Sequence, residues 1–261
     1  MDFAFTIAGF VVGFIVGFTG IGGGSLMTPI LVLGFSISPA VAIGTDLLYA
    51  AITKCGGIFV HNKKGNINWR IVALLCSGSI PSTIAAIFLL KYLNAIEYNI
   101  EPVMTKTLSV SLILTSLVLL FKSQIDRFVF NTESHGMKSL HQRLQEPLTI
   151  TAGILIGFFV TLSSVGAGAL GAAILLLLYP KLPAIKIVGT DLAHAVPITA
   201  IAGLGHMHLG TVNFSLLISL LIGSLPGIYA GSHFGTVIPD KVIRPILALI
   251  LLAIGIKMAL V

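Results

Sequence analysis

Hydrophobic positions along this chain run in long, nearly unbroken blocks separated by short polar intervals. Six blocks of about 20 residues lie near 40–60, 70–90, 103–121, 185–205, 213–234 and 242–261, each enough to cross a hydrocarbon core roughly 30 Å thick as a helix. Two further blocks, near 3–34 and 147–179, are about 32 residues long and carry glycines near their middles: Gly20, Gly22, Gly23 and Gly24 in the first, Gly166, Gly168 and Gly171 in the second. Glycine inside a helix costs roughly 1 kcal/mol against alanine, so both blocks are expected to break there. About 16 residues, a break and about 12 more are too few for two full spans at 1.5 Å per residue. Each long block therefore predicts a broken or re-entrant helix pair. The alternative is one long, tilted, kinked helix per block, which makes eight spans.

Composition sets the solvent. The chain is 56% hydrophobic and 9% charged, with a mean hydropathy of +1.05, where a soluble domain carries roughly 25% charged residues. The fold class expected is an all-α polytopic membrane protein. The first block lacks a basic leader region and a small-residue cleavage site, so it is not expected to be a removable signal peptide.

The net charge of +6 lies mostly in loops. Lys54, Lys63, Lys64 and Arg70 flank one loop, and Lys122, Arg127, Lys138 and Arg143 occupy the only long polar segment, near 122–146. That is the bias of cytoplasmic loops in membrane proteins. No basic patch interleaved with aromatics is present, and no nucleic-acid partner is expected. Cys55 and Cys76 sit in or at the ends of apolar blocks, with no disulfide or metal spacing, and read as apolar filler.

The chain also repeats itself at an offset of about 145 positions. Gly44-Thr45-Asp46-Leu47 recurs as Gly189-Thr190-Asp191-Leu192, and Gly78-Ser79-Ile80-Pro81 as Gly223-Ser224-Leu225-Pro226. Between them, His61, Gly65 and Asn68 recur as His206, Gly210 and Asn213; upstream, Gly22-Gly23-Gly24-Ser25-Leu26 aligns with Gly166-Ala167-Gly168-Ala169-Leu170. Ordered landmarks of this kind mark an internal duplication, the common build of secondary transporters. The expected domains are repeat 1 at 1–122, a cytoplasmic linker at 123–146 and repeat 2 at 147–261.

Loop charge suggests how the repeats lie. The 61–70 loop is basic, whereas its counterpart at 206–213 has no Lys or Arg; the 92–101 loop holds Glu97 and Glu101, whereas its counterpart at 235–244 holds Lys241 and Arg244. The bias flips between halves, as opposite membrane orientation requires. Both termini are then expected outside. Eight kinked spans would instead make the repeats parallel.

Candidate chemistry falls at the breaks and at the repeated GTDL. Backbone exposed at membrane depth survives only inside protein or along a cavity. A helix starting after Gly22-Gly23-Gly24 would turn free N–H groups toward such a cavity, a ready anion site. Ser25 adds a hydroxyl, and Ser163 and Ser164 precede Gly166 and Gly168 in the second half. The plain alternative is that these glycines only let helices pack closely. A carboxylate near hydrocarbon costs at least roughly 2.5–3.5 kcal/mol, so Asp46 and Asp191 should face a cavity, find a donor, or bind a proton or cation; otherwise they are helix N-caps near the interface. If brought together, the two carboxylates would repel, and one could hold a proton.

Thr45 and Thr190 place hydroxyls beside these acids. His194 follows Asp191 by one turn and can share its face, as a coupling residue or as a hydrogen-bonded core histidine. His61, His206 and His208 read as interfacial. Asn68 and Asn213 read as N-caps. No nucleophile elbow, metalloprotease motif, phosphate-binding loop or Cys/His metal spacing occurs, so no catalytic residues, metal or cofactor are expected.

The stretch from Gly13 to Ser25 (G-F-x-x-G-F-x-G-x-G-G-G-S), with Pro39 to Thr45 and the run from Gly205-His206 through Gly223-Ser224-Leu225-Pro226-Gly227, resembles the TauE/SafE family of sulfite exporter-like permeases. The resemblance covers nearly the whole chain. It implies transport of sulfite, sulfonates or other small organic anions across the bacterial cytoplasmic (inner) membrane. It also implies that Gly22, Gly23, Gly24, Ser25, Thr45, Gly166, Gly168 and Thr190 contact the anion, alongside Ser163 and Ser164. Coupling to a proton or sodium ion would fall to Asp46, Asp191 or His194. The chain departs from the family pattern in placing aspartate after each Gly-Thr pair. With no intramembrane Arg or Lys expected to balance an anion, backbone dipoles and hydroxyls would have to do so. A passive ion channel and an intramembrane enzyme are the alternative functions. The sequence leaves oligomeric state open.

Overall fold

The computed structural model describes the backbone at residues 3–19, 24–132, 138–234 and 240–260; the side chains of 18–19, 24–25, 122–123, 125–132, 138–143, 234 and 240–244 lie outside that description. Among the described residues the regular elements are all helices. They are α1 (Phe3–Thr19), α2 (Gly24–Pro29) running into a π-helical turn (Ile30–Gly34), α3 (Pro39–Lys63), α4 (Trp69–Ala95), α5 (Glu101–Thr132), α6 (Lys138–Ser163), α7 (Ala169–Leu178), α8 (Ala184–His208), α9 (Phe214–Phe234) and α10 (Asp240–Ala259). Stretches of α3, α4, α5, α6, α8 and α9 are long and apolar enough to cross a bilayer. This is an integral membrane protein.

Its outside and inside are arranged for lipid rather than water. Phe88, Tyr92, Leu225 and Tyr229 are exposed, while Thr28, Thr45, Asp46, Ser79, Thr83, Thr190, His194 and Ser224 are buried. In hydrocarbon, helices associate through close packing and polar contacts, because apolar side chains are already solvated by the lipid.

The second long block is not one kinked helix. α6 stops at Ser163 and α7, ten residues long, folds back along it: Gln145 Nε2 donates to Leu178 O (2.5 Å), and the Thr149 and Tyr179 hydroxyls lie 2.8 Å apart. Ten residues rise only about 15 Å. The first block closes in the same manner, with the Phe5 and Phe35 rings 5.0 Å apart at its two ends. Its break at residues 20–23 lies outside the described residues, as do Gly22 and Gly23.

The turn at Ser164–Gly168 is built from left-handed backbone. Ser164, Gly166 and Gly168 have φ of 57°, 126° and 145°, values that side chains with a Cβ resist and glycine adopts freely. Ser163 stitches the turn: its Oγ accepts from Val165 N (3.2 Å) and has Phe159 O (2.6 Å), Val165 O (3.1 Å) and Ser111 Oγ (3.1 Å) within reach of its single O–H.

Small residues set the helix pairing. Gly9, Gly13 and Gly17 of α1 meet Leu220, Ser224 and Ile228 of α9, so the two helices run parallel; Gly153 and Gly157 of α6 meet Leu75 and Ser79 of α4 likewise. At these glycines an added Cβ would collide with the neighbouring backbone. α3 and α8 pair the other way: Gly44 faces His206 and Thr211, Gly203 faces Leu48, Gly57 faces Leu192, and Gly189 faces His61 and Asn66. These two GTDL helices are antiparallel.

Asn68 and Asn213 cap α4 and α9 as expected, their side chains accepting from Ile71 N (3.4 Å) and Leu216 N (3.1 Å). His206, expected at the interface, is instead fully buried, its Nδ1 2.9 Å from Thr211 Oγ1 and its Nε2 3.0 Å from Thr161 O. Its helix end is covered by α6, which local sequence did not reveal.

Candidate functional site

The break between α6 and α7 and the first turn of α7 lie against the antiparallel pair α3/α8 and meet three ionisable side chains in order. Ser164 Oγ donates to Asp46 Oδ2 (2.9 Å), Ala167 O accepts from Lys54 Nζ (3.0 Å), and Gly171 abuts Asp191 Oδ1. All three are buried: Asp46 at 0%, Asp191 at 5% and Lys54 at 8% exposure. Lys54 interacts electrostatically with both aspartates, yet among the described residues it makes no ion pair within 4 Å.

The aspartates are not helix caps. α3 begins at Pro39 after Ser38 and α8 at Ala184 after Pro183, so each acid stands two turns inside its helix. Nor are they brought together. Asp191 precedes Leu192, which faces Gly57, so it is level with about residue 58 of α3. Twelve residues from Asp46 make an axial separation of about 18 Å, with Lys54 between. Antiparallel pairing of equivalent helices causes this, because each motif lies near its own helix start.

Lys54 is the main correction to the sequence reading. Counted with the loop charges, it belongs to the interior of a span. Its position eight residues after Asp46, inside an apolar helix that continues to Lys63, was the available signal. The repeat gives no second copy, because Thr199 occupies the equivalent place in α8. Thr28 was also missed. It donates to Asp46 Oδ2 (2.5 Å), joining α2 to α3.

The other expected residues divide. Thr45 and Thr190, both fully buried, accept from the backbone N of Asn213 (3.1 Å) and Asn68 (3.0 Å), each securing the start of a helix in the opposite half. His194 lies in the buried interior of α8, its Nε2 2.9 Å from Ser79 Oγ and its Nδ1 without a protein partner. Ser163 serves the turn, and Ser164 reaches Asp46. Gly166 bends the chain, and Gly168 precedes α7. The side chain of Ser25 lies outside the described residues. Among the described residues no cluster of His, Cys, Asp and Glu is suited to a metal ion.

A polytopic helical protein with Asp46, Lys54 and Asp191 buried along one antiparallel helix pair has relatives. The family model for the sulfite exporter TauE/SafE matches residues 5–258. The chain belongs to the TauE/SafE family. Among relatives in that family's company, the probable membrane transporter protein YjnA of Bacillus subtilis (strain 168) is 35% identical over 99% of this chain and 100% of its own. The probable membrane transporter protein YdhB of the same organism is 29% identical, over 90% of this chain and 91% of its own. A third, MJ0441 of Methanocaldococcus jannaschii, also named a probable membrane transporter protein, is 29% identical over 97% and 94%. No solved structure matches significantly. Membership of TauE/SafE makes this a protein of a membrane-transporter family, and no relative's name describes an enzyme.

Proposed function

We propose that this protein is a secondary transporter that moves a small anion (sulfite, a sulfonate or a related organic anion) across the cytoplasmic membrane by alternating access, with proton or sodium coupling. The observation that carries the reading is the pair of buried aspartates, Asp46 and Asp191, on the antiparallel α3/α8 pair, the first held by Ser164 of the α6–α7 turn and the second against Gly171 of α7. Carboxylates at membrane depth are expensive and mark ion or proton paths when they face the bundle interior.

The reading includes two inverted repeats, residues 1–122 and 147–261, joined by a cytoplasmic linker at 123–146, with both termini outside. Its support is the antiparallel α3/α8 pairing and the reciprocal exchange of contacts: Thr45 holds Asn213 as Thr190 holds Asn68, and α1 lies on α9 as α6 lies on α4. The anion contacts fall to the glycine breaks, Gly22 to Ser25 in one half and Ser164 to Gly168 in the other, since backbone N–H groups and hydroxyls at a helix start suit an oxyanion. Asp46 and Asp191 carry the coupling ion, with His194 behind them.

Reconstitution into proteoliposomes tests this. Sulfite or isethionate flux should saturate, follow an imposed proton or sodium gradient, and lose that dependence in Asp46→Asn and Asp191→Asn. Conductance without saturation or coupling would make the protein a channel. A reporter fused after Val261 should be active only outside the cytoplasm; activity inside would overturn the inverted arrangement.

A further inference from the structure

We propose that Lys54 is the anion-binding cation of this transporter, held on the carbonyl of Ala167 and turned onto a small monovalent oxyanion, such as a sulfonate, when one enters. The inference rests on the anion-transport reading and adds the residue that opposes the substrate's charge.

An ammonium group has three N–H donors and no acceptor. Among the described residues Lys54 Nζ has one partner, the neutral oxygen of Ala167 at 3.0 Å, although the side chain is only 8% exposed. Two donors are thus held at membrane depth with no protein acceptor. A cation kept only for structure is expected to close a direct ion pair with a nearby carboxylate, since an unpaired buried charge is costly. Asp46 and Asp191 are near enough to interact with Lys54 electrostatically, and each keeps a buried Oδ1 without a hydrogen-bond partner. Yet among the described residues neither lies within 4 Å of the ammonium. Asp46 is instead held through Oδ2 by Thr28 and Ser164, and Asp191 Oδ1 is packed on Gly171.

The carbonyl that holds Lys54 belongs to the turn whose backbone is left-handed at Ser164, Gly166 and Gly168. Lys54, with its free donors, and the N-terminal end of α7 therefore border the same turn, and both favour negative charge. Two aspartates flank one lysine, so a monoanion would add to a negative excess. A proton on one aspartate, as in the transport cycle proposed above, removes that excess. The lysine also breaks the symmetry of the repeats. Thr199 stands at the equivalent position, so one anion per cycle has one cation to bind it.

The test uses isethionate, a permanent monoanion, with the purified full-length chain. Binding is read as the ligand-dependent rise in Tm in detergent and transport as flux into proteoliposomes. Lys54→Gln should lower isethionate affinity and flux by about 100-fold, the scale of leaving a buried charge uncompensated. Lys54→Arg, which keeps the charge, should retain a substantial part of both. Adding Asp191→Asn to Lys54→Gln removes one negative charge for the positive one lost and should recover unliganded Tm but not isethionate binding, because the cation is still missing; recovered binding would make Lys54 merely structural. If Lys54→Gln lowers unliganded Tm too far to be assayed, the Lys54→Arg and double variants decide. Wild-type flux that Lys54→Gln leaves intact would overturn the role of Lys54 while the transport reading stands. Lys54-dependent binding without flux would keep that role and overturn transport. Neither binding nor flux of isethionate by the wild type would overturn the inference together with its sulfonate substrate.

Discussion

Asp46 and Asp191 occupy the same place in a repeated motif, yet their surroundings are opposite. Asp46 is fully enclosed and its Oδ2 receives two hydroxyl hydrogen bonds, from Thr28 and Ser164. Asp191 receives no side-chain hydrogen bond among the described residues, and its Oδ1 is pressed against Gly171. The donors differ because the segments packed on the two acids differ in sequence. Thr28 aligns with Ala172, and Ser164 with Gly20. Asp46 is therefore partly solvated by hydroxyls, its Oδ1 alone lacking a partner, whereas Asp191 has no hydroxyl donor among the described residues. A repeated motif supplies two carboxylates; the neighbouring segments decide how many hydroxyl donors each one meets.

Removing the difference should have the largest effect. The double variant Thr28→Val, Ser164→Ala gives Asp46 surroundings like those of Asp191, and should destabilise the protein by about 2–4 kcal/mol, since each lost donor to a buried charged group costs about 1–3 kcal/mol. The measurement is the loss of Tm in detergent, and Thr28→Ser should spare most of it. An unchanged Tm would mean that those hydrogen bonds are not what holds Asp46.

Next comes the packing side of the contrast. Gly171→Ala places a Cβ against Asp191 Oδ1 and should cost about 1–3 kcal/mol, the usual range for overpacking. Shortening the acid by Asp191→Ala in the same chain should return much of the lost Tm. Additive losses in the double variant would show that the two residues are not in contact.

The smallest effect sharpens the comparison from the other direction. Ala172→Thr supplies in the second half the hydroxyl that Thr28 supplies in the first. It should stabilise by about 1 kcal/mol, the net worth of a typical hydrogen bond, and slow gradient-driven flux by tying up Asp191. A faster transporter, or one unchanged in both measurements, would deny Asp191 its role as the freer acid.

Much of the fold was legible because its signals are local. Asn68 and Asn213 cap helices through bonds three residues away, and the Ser163–Gly168 break follows from glycine's own conformational freedom. The site was legible in part. GTDL marked both aspartates, but the Thr45 and Thr190 hydroxyls secure the starts of α9 and α4, and that use appears only once helices from opposite halves meet. Lys54 was hidden among loop charges, because hydropathy averages over a window and cannot say that one lysine in an apolar helix turns inward. Thr28 carried no signal, since a lone threonine near a proline is ordinary.

Among the described residues the six long apolar helices are five of the blocks expected, with Leu144–Ser163 in place of 242–261, whose described apolar stretch is the shorter Pro245–Ala259. The amino-acid sequence by itself determined the solvent, those five spans and the interruption of the second long block at its glycines. These depend on composition and on contacts within one turn of chain. The tertiary structure decided that α3 and α8 are antiparallel, that Asp46 and Asp191 stand about 18 Å apart along the helix axis with Lys54 between them, and that the α6–α7 turn passes all three. Those outcomes rest on contacts between residues more than a hundred positions apart, such as Asp46 with Ser164 and Lys54 with Ala167. No local pattern encodes such pairs; they follow from how glycine-lined helices find the closest approach in a medium that leaves their apolar faces indifferent.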